Sequence, residues 1–230
     1  MKFREFEDIN MKNIIVIGAD VSGMNIFTVI QDTNRISSKW KVIAYLDEYK
    51  KHDGTLFGIP IFNTFEDIIS RTGTIKEETY VISAIGSPRD RLRLMKQAES
   101  KGFKLATIIH PSANISDYAK IEEGCIICQF ASVHPFAHVK RMSYIHTAVV
   151  IGPKVTIGEA VTINSLCAIS SNTKIGDYCY VGVGTKVIQK INIGKNATLG
   201  AGSVIIKDVP ENCLAAGVPA EIKKRNHNGN

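Results

Sequence analysis

Aliphatic side chains recur at every sixth residue over residues 109–204. The first positions are Ile109, Ile115, Ile121, Ile127, Val133, Val139, Ile145, Ile151, Ile157, Ile163, Ile169, Ile175, Val181, Val187, Ile193 and Leu199, with no slip and no insertion. The fifth position is small in nearly every hexad, as at Ala113, Cys125, Ala137, Thr173 and Ser203, and Ile191 breaks the size rule. Glycine recurs at the second position, at Gly152, Gly158, Gly176, Gly182, Gly194 and Gly200. A period of six belongs neither to an amphipathic helix nor to alternating strands, and it predicts a β-helix. Three hexads form one triangular coil, so residues eighteen apart stack and about five coils result. The first position enters the core, the fifth fills the gap beside it, and the second suits a bend where glycine carries positive φ.

The preceding stretch has a different rhythm. Residues 13–18 read as a buried strand, 22–32 as a helix and 39–46 as a second strand ending in Asp47-Glu48. A short edge strand follows at 60–62, then a helix from residue 65 that Gly73 ends. An apolar strand at 80–85 leads into an amphipathic helix opened by Pro88, and 104–109 reads as a last strand. The expected organisation is an N-terminal extension at 1–10, a Rossmann-like α/β domain at 11–108, the β-helix at 109–210, and a C-terminal turn with a basic tail at 211–230. Met1 and Met11 are alternative starts.

The βαβ opening carries Gly18 and Gly23 in its first turn, but the dinucleotide fingerprint would need glycine where Asp20 stands. A carboxylate there repels a pyrophosphate, which argues against a nicotinamide oxidoreductase. Composition is that of a globular protein, 44% hydrophobic and 22% charged. No apolar run approaches the ~18 residues of a membrane span, and the N-terminus lacks the apolar centre of a signal peptide, so a cytoplasmic location is expected. The net charge of +6 serves solubility or meets ligand phosphates. No element concentrates arginine with aromatics for nucleic-acid reading. Of five cysteines, Cys125, Cys167 and Cys179 lie in the small inward column and Cys128 and Cys213 are isolated, so they read as structural and no metal is implied.

Several short segments carry a family resemblance: Ile14-Ile-Val-Ile-Gly18, Tyr45-Leu-Asp47-Glu48, Gly58-Ile-Pro60, Ala84-Ile-Gly86, Ile109-His-Pro-Ser-Ala113, Gly200-Ala-Gly-Ser203, Lys207-Asp-Val-Pro210 and Gly217-Val-Pro-Ala220. On these the chain resembles the NeuD/PglD-type sugar acetyltransferases, a branch of the hexapeptide-repeat acyltransferases. The resemblance implies a left-handed β-helix, a homotrimer with active sites between subunits, acetyl-CoA as co-substrate and a nucleotide-linked sugar as acceptor in surface glycan biosynthesis. It places substrate contacts at Asp20, Val21, Ser22, Asp47 and Gly86. It places acetyl-CoA contacts at Thr162, Ser171, Val183, Ala201 and Lys207, with Lys223-Lys224-Arg225 as a further partner for its phosphates.

It also implies a histidine base beside an Asp or Glu, which takes the acceptor's proton as the thioester is attacked. The unbroken register puts that pair at Pro153 and Lys154, and neither can do this work. Three readings follow. Another histidine serves, with His134 one rung from Gly152, His138 in the same coil, and His146 stacked between Cys128 and Asn164 as candidates. Alternatively the acceptor reacts without a protein base, through positioning alone. Or the chain is a catalytically silent binding or scaffold protein of the same fold. The expected function is acetyl transfer to an amino or hydroxyl group of a nucleotide-activated sugar, with the silent homologue as its alternative.

Overall fold

The computed structural model describes residues 11–49 and 54–225. The expected extension at 1–10 and the polar end of the tail at 226–230 lie outside the described residues. The chain divides into two compact units, one of residues up to 85 with 94–106, the other of residues 86–93 with 107 onward.

The first unit is built on a parallel sheet. Its elements are β1 (Lys12–Ile17), α1 (Val21–Ile36), β2 (Trp40–Leu46), β3 (Thr55–Leu56), β4 (Ile59–Phe62), α2 (Phe65–Thr72), β5 (Tyr80–Ser83), α3 (Pro88–Ser100) and β6 (Lys104–Leu105). Helix α3 is shared, its first residues through Arg93 grouping with the second unit. Strand order is β3-β4-β2-β1-β5-β6. All neighbours run parallel except the β3–β4 hairpin. The central strand β1 is covered on both faces, which explains its unbroken run Ile14, Ile15, Val16, Ile17, all buried. Order reverses across β1, so the carboxyl ends of β1 and β5 flank the switch point where α/β sheets bind ligands. The expected last strand at 104–109 breaks in two. Ala106 N–H still donates to Val81 O at 2.9 Å, whereas Ile108 N–H donates to Cys125 O at 2.9 Å, and Ile108–Ile109 is the first strand of the repeat.

The second unit is a left-handed parallel β-helix. Two-residue strands stack in three sheets, called here faces I, II and III. Face I runs from Ile108–Ile109 to Thr198–Leu199, face II from Asn114–Ile115 to Val204–Ile205, and face III from Lys120–Ile121 to Asn192–Ile193. Each strand pairs with the one eighteen residues on, as Ile127 with Ile145 and Val139 with Ile157. First-position side chains from Ile127 onward are buried in one continuous core.

The role expected for the second-position glycines is corrected. Positive φ falls on the fourth position, at Phe130 (φ 57), Lys154 (φ 57), Asn172 (φ 58) and their equivalents, almost all of them not glycine. Hydrogen bonds from these residues to the coil below hold the strained bend, as Lys154 N–H to Pro135 O at 3.1 Å and Asn172 N–H to Pro153 O at 3.0 Å. The second-position glycines answer a steric need instead. A Cβ on Gly176 would stand 2.6 Å from Lys195 N, and one on Gly194 2.3 Å from Glu211 N.

The repeat ends when Val209 bridges to Ile193, sixteen residues back rather than eighteen. The basic tail is a strand through Arg225. Ala220–Arg225 forms a strand antiparallel to Cys213–Gly217, which itself extends face I. The open edge of the last coil needs hydrogen-bond partners, and the hairpin supplies them.

Candidate functional site

In the α/β unit the structure gathers Asp20, Val21, Ser22 and Asp47 at the carboxyl ends of β1 and β2. Gly18 takes φ 99, closed to other residues, and turns the chain into α1. Asp20 is the N-cap of α1, its carboxylate accepting from Ser22 N–H at 2.9 Å. A negative charge therefore already sits on the helix N-terminus, where a dinucleotide's pyrophosphate would dock. Asp47 accepts from Ala19 N–H at 3.0 Å through one oxygen and from Tyr49 N–H at 3.1 Å through the other. It ties the turns that follow β1 and β2 together. Val21 is exposed and Ser22 half-buried.

Gly86 and Thr162 meet in the second unit, around Arg91. Arg91 is almost wholly buried. Its Nε donates to Met142 O at 2.7 Å, Nη2 to Ala160 O at 2.9 Å, and Nη1 to Thr162 Oγ1 at 2.9 Å and Gly86 O at 3.3 Å. Thr162 donates in turn to Gly86 O at 2.7 Å. Burial lowers the Arg91 pKa to about 10, so it stays cationic at neutral pH. Thr162 is fully enclosed and its hydroxyl both accepts and donates. It packs Arg91 against face I.

The remaining expected co-substrate contacts split between two corners. Val183 and Ala201 are exposed and stack at the corner between faces I and II, where Gly202 N–H donates to Val183 O at 2.8 Å. Ser171 lies at the corner between faces II and III, one rung above Pro153, and exposed Lys207 follows the last strand of face II. Pro153 is exposed at that corner. The backbone ladder uses no third-position N–H, so proline fits at 111, 135 and 153 without losing a bond.

The histidines separate. His134 sits half-buried beside Pro135, next to the Pro153 column, with no side-chain hydrogen bond among the described residues. His146 lies on the far side of the coil. It stacks on Tyr144 with ring centroids 3.9 Å apart, and its Nε2 is enclosed without a partner. Burial, with the Arg91 cation nearby, lowers its pKa to about 4. The residue as a whole is half-buried, with only its Nε2 edge shielded. The structure does not bring His134 and His146 together.

A pair not expected from the sequence appears on face III. His138 Nε2 lies 2.7 Å from Glu122 Oε1, and Arg141 N–H donates to Glu122 Oε2 at 3.1 Å. Stacking by eighteen puts His138 over Lys120, and Glu122 is the next outward residue after Lys120. The spacing therefore contained the signal.

The PglD N-terminal domain model matches residues 13–98. Among solved structures, a histidine-to-asparagine variant of perosamine N-acetyltransferase from Caulobacter crescentus, in complex with CoA and GDP-perosamine, is 25% identical with a TM-score of 0.84, covering 92% of this chain and 97% of that one. The acetyltransferase domain of PglB from Neisseria gonorrhoeae, in complex with acetyl coenzyme A, is 26% identical with a TM-score of 0.79, covering 93% and 100%. WeeI from Acinetobacter baumannii is 26% identical with a TM-score of 0.64, also covering 93% and 100%. The bifunctional protein GlmU of Anaplasma marginale is 30% identical over 117 residues, 49% of this chain and 27% of that protein. The chain spans about a quarter of the length of such curated relatives. Among the described residues no helix is long and apolar enough to cross a membrane. Residues 13–98 thus match the PglD N-terminal domain, and over 92% of its length the chain has the fold of these NeuD/PglD-like sugar acetyltransferases.

Proposed function

We propose that the protein transfers an acetyl group from acetyl-CoA to an amino or hydroxyl group of a nucleotide-linked sugar used in a surface glycan. The observation that carries this reading is the near full-length likeness to enzymes crystallised with CoA and GDP-perosamine. The turn of Asp20, Val21 and Ser22 with Asp47 takes the nucleotide sugar, Asp47 through a sugar hydroxyl. Ser171 and Lys207 at one corner and Val183 and Ala201 at the other take acetyl-CoA, with Lys207 toward its phosphates.

Two corners of one triangular prism cannot close on a single pantetheine arm, so the site forms between subunits of a homotrimer. Face II and its flanking corners support that arrangement. Val150 is 41% exposed on the face, while Phe130 (68%) and Leu166 (59%) stand at one edge and Phe136 (62%) at the other. Such a concentration of exposed apolar side chains marks an association surface.

The Pro153-Lys154 pair favours a second reading, a silent binder of the same ligands. Calorimetry with acetyl-CoA, combined with thiol release on a panel of UDP-, dTDP- and GDP-linked amino sugars, separates the two. Turnover on any member supports transfer. Tight binding of both ligands with no thiol release supports the silent protein, and absence of acetyl-CoA binding overturns both.

A further inference from the structure

We propose that His138, held by Glu122, is the general base of the acetyl transfer; this rests on the transferase reading above. Four histidines lie among the described residues, and geometry separates them. His110 is 8% exposed, and its Nδ1 is bound by Ser112 N–H at 3.0 Å within its own turn. His146 stacks on Tyr144, and its Nε2 is buried without a partner. His134 has no carboxylate partner among the described residues. Only His138 joins a carboxylate to a ring that solvent reaches.

The pair is built to act together. Nε2–H donates to Glu122, which fixes the tautomer and leaves the Nδ1 lone pair unbound by any described residue. Burial opposes ionisation of Glu122, but the hydrogen bonds from His138 and Arg141 N–H outweigh it and hold its carboxyl below the usual range. The carboxylate is thus charged when the imidazole takes a proton, and it stabilises the resulting cation. Lys120 stands 3.6 Å from the same Glu122 oxygen, and Arg141 is turned to Glu123 at 2.9 Å. The charged groups around the ring are Lys120, Glu122, Glu123, Lys140 and Arg141.

The half-buried His138 ring is open to solvent, and a cavity lies beside it on face III without including it. Thr156 pairs in register with His138 and forms one wall of a cavity of about 580 Å³. Lys140, Lys174 and Lys195 line that cavity together with Asp177 and Asp208. His138 follows Pro135 by three residues, so the base has moved from the corner holding Pro153 onto the adjoining edge of face III. In the step, the acceptor nitrogen or oxygen bonds to the thioester carbonyl carbon and its proton passes to Nδ1. The carbon–sulfur bond then breaks, and the imidazolium returns that proton to the departing thiolate, giving free CoA thiol and the acetylated sugar.

The test compares wild type, His138→Gln, Glu122→Gln and Glu123→Gln for acetyl-CoA affinity, thermal unfolding and thiol release against pH. His138→Gln is expected to lower kcat by about 10²–10⁴-fold with acetyl-CoA affinity retained, and to lose the acid limb of the profile. Glu122→Gln lowers kcat and alters that limb, whereas Glu123→Gln leaves turnover unchanged. Independently of turnover, diethyl pyrocarbonate mapped by mass spectrometry labels His138 in the free protein, and the two substrates together shield it. Wild-type turnover retained in a folded His138→Gln, or a ring that substrates fail to shield, overturns the base and leaves the transferase reading standing. A wild type that binds acetyl-CoA but turns over no acceptor overturns the base as well. A wild type that does not bind acetyl-CoA fails both.

Discussion

Arg91 is the largest fully enclosed side chain among the described residues, and it donates to Met142 O, Ala160 O and the Thr162 hydroxyl. Arg91→Met would strand Met142 O and Ala160 O beside an apolar tail. The expected loss is on the order of 3 kcal/mol in urea unfolding, with Arg91→Lys recovering only part because one ammonium cannot span the same acceptors. His146 makes a second residue-level prediction. Its pKa of about 4 in the folded protein lies below the ordinary value of 6.5, so the native state prefers the neutral ring. The stability it contributes is complete above pH 6.5 and is lost as pH falls toward and through 4, to a total on the order of 3 kcal/mol. Unfolding measured between pH 7 and 4 should show that slope in wild type and a flatter one in His146→Gln. An identical slope in both would place the titrating group elsewhere.

At the scale of the element, the coil has two kinds of special position that look alike in sequence. Gly176 stands where the backbone of the next coil passes too close for a Cβ, at 2.6 Å from Lys195 N. Gly202 stands at a fourth-position bend with φ 68 and open space around it. Gly176→Ala should therefore cost more than about 2 kcal/mol, because backbone must move, while Gly202→Ala should cost about 1 kcal/mol of left-handed strain. Equal losses in thermal unfolding would contradict this division. The glycine column was visible in the repeat, but its reason was not. Spacing along one chain says which residues recur, and only the stacked coils say which atoms they approach. The end of the repeat is a similar case. Lys223–Arg225 reads as a solvated tail by charge, yet it pairs with Cys213–Gly217 because an open strand edge lies beside it.

At the scale of the whole molecule, the three faces of the β-helix differ in chemistry. The early outward residues of face I, Ile108, Ile126, Tyr144 and Thr162, are buried. Face II mixes Val150, Ala168 and Val204 with Asn114, Ser132 and Lys186, and face III carries Lys120, His138, Thr156 and Lys174. The assembly proposed above uses face II for its exposed Val150 and the apolar side chains at its edges, so Val150→Glu is expected to be monomeric in light scattering where wild type is trimeric, with weaker acetyl-CoA binding. Retained trimer in that variant would move the interface to another face.

The sequence by itself determined the β-helix, because a period of six over sixteen hexads leaves the chain one regular way to bury its aliphatic column. It also determined the α/β opening, since the apolar runs at 13–18 and 39–46 flank a helical stretch at 22–32. It did not decide which histidine has a carboxylate, which is enclosed, or that Thr162 and Gly86 serve Arg91. Those pairings join residues 16, 71 and 76 positions apart. They depend on how coils stack and where one side chain displaces water, and periodicity carries no information about either.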